Sequence, residues 1–170
     1  MSMPLCWARR DVPRAAEWCE VVEDSAVAAL HDCLKGLSVV EAEALFASAG
    51  WGGWLDGMLF APRRIFQYYI QAITAYLRSP HAAGDYEAAV GFLVLINARE
   101  RLDAGSVKAL HASLQEVVEW LAFSPQRFSS LPEEQAELHA RASRVFQSWG
   151  IGMKDRQAVM PENRRLHAPG

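Results

Sequence analysis

The sequence predicts an all-α, single-domain bundle of five to six mostly antiparallel helices. Three observations carry that reading. Apolar residues recur at three- and four-residue spacing over most of the chain, helix-capping signals stand between those stretches, and the links between them are short. Residues 1–150 form the expected bundle and residues 151–170, with two prolines, Arg164-Arg165 and little apolar content, a flexible tail.

Asp11 is placed to cap a first helix with Pro13 in its first turn, and Trp18, Val22, Ala26, Ala29, Cys33 and Leu37 follow at helical spacing until Gly36 offers a stop. Ser38 with Glu41 three residues on makes a capping box for a short second helix through Val40, Ala44, Leu45 and Ala47, which Gly50 ends. The next stretch, GWGGWLDGMLFAP over residues 50–62, holds four glycines and reads as a turn or a broken helix.

Pro62 sits where a helix starts, and Ile65, Phe66, Tyr69, Ile70, Ile73, Tyr76 and Leu77 form a wide apolar stripe up to Ser79-Pro80. Asp85 can cap a helix running to about Leu102. Its centre, Val90 and Phe92 to Ile96, is apolar on all sides and predicts the central, buried helix; such a run also suits a buried strand, but both flanks favour helix. Val107, Leu110, Leu114, Val117, Val118 and Leu121 predict a helix from about Gly105 to Phe123. Ser130 with Glu133 makes a second capping box, ahead of a last helix striped by Leu138, Ala142, Val145, Phe146 and Trp149 and ended by Gly150. No repeat of solenoid length is evident.

Composition narrows the function classes. The 51% hydrophobic and 22% charged fractions are those of a globular chain. Cys6, Cys19 and Cys33 are odd in number and lack metal-knuckle spacing, so reduced thiols, with Cys19 and Cys33 as small core residues, are expected. The opening MSMPLCWARRDVPR has no secretory apolar core, and the longest apolar run, residues 88–96, falls short of the roughly 20 residues a membrane crossing requires. A cytoplasmic protein with no membrane partner is the expectation.

No catalytic or metal constellation stands out. The five histidines have no ligand-spaced partners, neither a nucleophile elbow nor a P-loop is present, and Glu116/Glu119 and Glu133/Glu137 read as solvated helix faces. No cofactor is expected. Arg63 and Arg64 open a helix after a glycine-rich loop, an arrangement that can receive a phosphate, although surface arginines are the simpler reading. A net charge of −3 with no basic stripe argues against nucleic acid. That charge is unevenly spread. Residues 15–60 hold Glu17, Glu20, Glu23, Asp24, Asp32, Glu41, Glu43 and Asp56 against Lys35 alone, eight acids and one base leaving −7. With Trp51 and Trp54 beside them, Glu17, Glu20, Glu23, Asp24, Glu41, Glu43 and Asp56 are the candidate partner-binding residues, because complementary charge steers encounter and tryptophan is enriched among interface hot spots; an acidic face that serves solubility, with both tryptophans in the core, is the simpler rival reading.

From Phe66 to Leu121, the pattern Tyr76-Leu77, Ser79-Pro80, Gly84-Asp85, Ala88-Ala89, Phe92-Leu93, Leu95 and Arg99 resembles helical immunity proteins encoded beside polymorphic toxins of Gram-negative bacteria. The resemblance covers about a third of the chain. It implies a non-enzymatic protein that binds a cognate toxin, for this charge a basic nuclease-type domain, and occludes its active site; it transfers no binding residues. Two rival readings stand beside it. One is a helical adaptor or chaperone holding a helix of a secretion substrate or regulatory partner; the other is an enzyme or ligand sensor with its site near Tyr68, Tyr69 and Asn97.

Overall fold

The computed structural model describes residues 11–21, 25–49 and 54–150. Among these residues there are seven α-helices and no strand: α1 Ser25–Leu34, α2 Val39–Ala49, α3 Trp54–Phe60, α4 Arg63–Arg78, α5 Tyr86–Leu102, α6 His111–Phe123 and α7 Pro132–Ser148. Short 3-10 segments stand at Ala15–Val21, Pro80–Ala82, Lys108–Leu110 and Pro125–Arg127. The expected tail, residues 151–170, lies outside the described residues.

The helix beyond the expected five to six is α3, inside the glycine-rich stretch. Gly57 does not break it. A Cβ built on Gly57 would lie 2.8 Å from the Ala26 carbonyl oxygen and 2.9 Å from Leu30 Cβ, so its bare backbone is what lets α3 rest on α1. Trp54 and Met58, one turn apart, are buried beside it.

The first helical stretch also departs from expectation. Ala15–Val21 is a 3-10 helix, and three residues per turn shifts the phase relative to an α-helix read onward from Trp18. Trp18 is buried, but the buried residues of α1 are Val27, Leu30 and Leu34, while Ala29 and Cys33 are exposed. Cys33 is therefore not a core residue. The stop is as expected, with Gly36 at φ +80° just past the helix.

Local signals hold where their partners are close in sequence. Ser38 and Glu41 form the reciprocal box: the Ser38 N–H donates to Glu41 Oε2 at 2.8 Å, and the Glu41 N–H donates to Ser38 Oγ at 3.3 Å. Asp85 caps α5 through the Ala88 N–H at 3.0 Å, and its other oxygen accepts the Tyr76 hydroxyl at 2.6 Å, so one carboxylate ties the end of α4 to the start of α5. The Ser130–Glu133 box does not form. Pro132 at the first helical position makes Leu131 the cap residue, and Ser129 serves instead, its Oγ accepting the Leu131 N–H at 2.9 Å and donating to Glu134.

The helix expected from Gly105 begins at His111, after a 3-10 turn. Its approach is held from α5: the Glu100 carboxylate accepts N–H groups from Gly105 at 2.7 Å, Val107 at 2.8 Å and Lys108 at 3.0 Å. Burial alone would raise the Glu100 pKa, but these three donors outweigh it and hold the group below the usual carboxylate range.

Packing skips along the chain, with α1 against α3, α2 against α4, α3 against α5, and both α5 and α6 against α7. The most enclosed helix is α4 rather than α5. Ten of the sixteen α4 residues are buried against seven of seventeen in α5, whose Val90 and Val94 are only half-buried. The reason is position: α4 meets the first 3-10 helix, α2, α5 and α6, whereas α5 packs mainly on α3 and α7. No helix among the described residues is long and apolar enough to cross a membrane.

Candidate protein-binding surface

The acidic residues of the first third divide by what they touch. The Glu17 carboxylate meets the Arg64 guanidinium at 2.7 Å and accepts the Arg14 N–H at 2.7 Å, so its charge is largely spent inside the fold. Asp32 lies 3.2 Å from the His31 ring. Glu41, Glu43 and Asp56 are the remaining described acids, Glu41 and Asp56 exposed and Glu43 half-buried. Glu23, Asp24 and Trp51 lie outside the described residues, as does the side chain of Glu20.

Helix α2 has two sharply different sides. Ala42 and Phe46 are buried, on the side that packs against α4. Turned away from them are Val40, Ala44 and Ala47, all exposed and spaced to share one face, with Val40 retaining 74% of its surface. Glu41 and Glu43 stand beside this small apolar strip. The Ser38 hydroxyl and N–H hold the Glu41 carboxyl below its ordinary pKa, so the charge persists into mildly acidic solution.

Trp54 is not part of that surface. It is 9% exposed and its ring meets the Phe46 ring edge-on at 5.5 Å, which makes it the seat of α2 and α3 on the core. The bulk that suits tryptophan to interfaces also fills the junction between two short helices, and sequence alone does not separate the two uses.

The arginines opening α4 are both engaged. Arg64 pairs with Glu17, and Arg63 Nε donates to Asp103 at 3.1 Å while its Nη2 also reaches Asp103 and, at 3.1 Å, the Ala104 carbonyl. A phosphate would have to displace these carboxylates. Asp103 is shared with Arg99, whose Nη2 donates to it at 2.9 Å and whose Nη1 donates to the Leu59 carbonyl at 2.5 Å. Arg99 is only 5% exposed and lies 5.1 Å from the Phe66 ring centre. The cluster joins the end of α3, the start of α4 and the end of α5. Arg99 and Asp103 are an i,i+4 pair on α5, but their links to Arg63 and to the Leu59 carbonyl span forty residues, and no local pattern announces those.

The tyrosines of the enzyme or sensor reading are both buried. Tyr69 donates to the Leu34 carbonyl at 2.5 Å, and burial pushes its hydroxyl well above the ordinary phenol range. Tyr68 is buried too, and Asn97 is half-buried on α5. Among the described residues no group of three His, Cys, Asp or Glu side chains is placed to hold a metal ion. No protein-family model, curated protein or solved structure matches the chain.

Proposed function

We propose that this chain is a non-enzymatic inhibitor that neutralises a basic bacterial toxin domain by covering its active site, with the outward face of α2 as the contact. The observation that supports this most is the composition of that face. A strip of exposed small apolar residues, Val40, Ala44 and Ala47, runs beside Glu41 and Glu43, with the opposite side locked on α4. Small side chains let a partner backbone approach closely, and the flanking acids favour a basic surface and speed encounter with it. The resemblance of Phe66 to Leu121 to helical immunity proteins supplies the role.

Co-expression with the toxin encoded by the adjacent gene should restore growth, and the two chains should co-purify. Glu41 also serves as a cap, so Glu43→Lys and Val40→Arg are the cleaner interface variants; each should abolish protection with an unchanged melting temperature. Rescue of growth by both variants would remove α2 from the contact. Failure to rescue or co-purify with the unaltered chain would end the inhibitor reading. Binding of a client helix that ignores both salt and the Glu43 substitution would favour the adaptor reading instead.

A further inference from the structure

Two large apolar side chains are left exposed at one end of the bundle. Phe60 closes α3 and keeps 47% of its surface, and Leu102 closes α5 and keeps 60%. Arg99, one turn before Leu102 and on the same face of α5, donates to the carbonyl of Leu59, the residue before Phe60, at 2.5 Å. Arg63, just beyond Phe60, donates to Asp103, the residue after Leu102, at 3.1 Å. The same two links therefore bracket both residues. Apolar side chains scattered singly over a surface are ordinary, whereas a bracketed pair marks a patch.

The surroundings of that patch are basic. Arg63, Arg99, Arg101 and Lys108 stand there against Glu100 and Asp103, four bases and two acids leaving +2. Asp103 is shared by Arg63 and Arg99, and the Glu100 carboxylate is occupied by N–H groups, the Lys108 N–H among them. Arg101 and Lys108 are exposed, and neither side chain forms an ion pair among the described residues. Helix α2 is the complement. Its outward side exposes Val40, which keeps 74% of its surface, and the helix carries Glu41 and Glu43 with no base, a charge of −2.

A basic patch with an apolar centre selects an acidic surface with an apolar centre, because opposite charges steer the encounter and like charges oppose it. We infer that the Phe60–Leu102 end of one copy docks on the outward face of α2 in a second copy, with Phe60 and Leu102 against Val40 and with Arg101 and Lys108 facing Glu41 and Glu43. The two surfaces differ, so the contact is heterologous and copies join head to tail. Few side chains take part, which places it among the weak, concentration-dependent contacts. A second copy on α2 and a toxin on α2 exclude one another. The contact itself needs no toxin and is tested on the chain alone, so its failure leaves the inhibitor reading untouched.

Analytical ultracentrifugation of the full chain at low salt, up to about 1 mM protein, tests this. The weight-average mass should rise with concentration and fall back when salt is added. Arg101→Glu, which makes the end acidic, and Glu43→Lys, which makes the face basic, should each stay at the monomer mass. An equimolar mixture of the two should regain the rise, because the altered end then fits the altered face while the two unaltered surfaces still fit each other. Leu102→Ser, a change at an exposed position, should lose the rise without touching any charge. A monomer mass at every concentration overturns the contact. So does a rise that survives Glu43→Lys, which would mean that the end meets itself, and so does a mixture of the charge variants that stays monomeric.

Discussion

Replacing Gly57 by alanine sets two effects of opposite sign against each other. In an exposed helix the change is favourable, since alanine exceeds glycine by about 1 kcal/mol in helix propensity. In α3 the added Cβ would lie 2.8 Å from the Ala26 carbonyl oxygen and 2.9 Å from Leu30 Cβ. Neither atom is the free end of a flexible side chain, so α1 and α3 must separate. Overpacking of a tight contact costs about 1–3 kcal/mol, and here, with backbone on one side, the upper end applies, leaving a net loss of about 2 kcal/mol. For a chain of this size each kcal/mol moves the melting temperature by roughly 2–4 °C, so Gly57→Ala should melt roughly 4–8 °C below the parent. Thermal unfolding by circular dichroism reads this directly. A melting temperature raised by the amount propensity alone gives would show that α1 and α3 do not make the close contact on which the fold of the first third depends.

Two pH effects follow from the buried polar groups. Asp103 is held below the ordinary carboxylate range, first by its hydrogen bond from Arg63 and, against the opposing effect of burial, by the charge of Arg99. The folded chain thus binds a proton there less readily than the unfolded one. Its contribution is complete above about pH 4 and is lost as pH falls through the lower folded value, so Asp103→Asn should flatten the acid limb of a stability-against-pH curve from urea melts; an unchanged limb would contradict the cluster. His111 is held below the usual imidazole range by burial, with Glu100 opposing, and its ring lies against Trp149 at 4.3 Å. Its contribution is likewise present above about pH 6.5 and lost on acidification through the folded value; a proton NMR titration of the ring with a midpoint at or above about 6.5 would refute the placement.

What could be read in advance was local. The Ser38–Glu41 box, the Asp85 cap and the Gly36 stop each depend on partners within a few residues, and each stands where expected. The stripe of α4 was equally plain, because its apolar residues repeat within one unbroken helix. Cys33 and Ala29 were misplaced because a 3-10 segment precedes α1, and the phase of a helix cannot be carried across it. Gly57 and Trp54 are ambiguous in the sequence for a different reason. Whether a glycine breaks a helix or admits a neighbour, and whether a tryptophan is a hot spot or a wedge, depends on α1 and α2, which are distant in sequence from α3. On the acidic surface, composition located the charge but not its use: Arg64 removes Glu17 from it, and the apolar strip between the acids is visible only once Ala42 and Phe46 define the inner side of α2.

The Arg99 cluster bears on how fast and how tightly the outer helices can bind. Arg99 holds the Leu59 carbonyl near the end of α3 and the Asp103 carboxylate at once, and Asp103 holds Arg63 at the head of α4, the helix on which α2 rests. Peeling away α3 takes the Leu59 carbonyl from Arg99, and peeling away the head of α4 takes Arg63 from Asp103 and the Phe66 ring from Arg99. Local opening of α3 or of the head of α4 is therefore coupled to a larger unfolding event, and amide exchange there should report a free energy near the global one. Were α2 the contact proposed above, a face backed by such a support would lose little conformational entropy on meeting a partner, and the complex would gain lifetime from that rigidity rather than from added contacts.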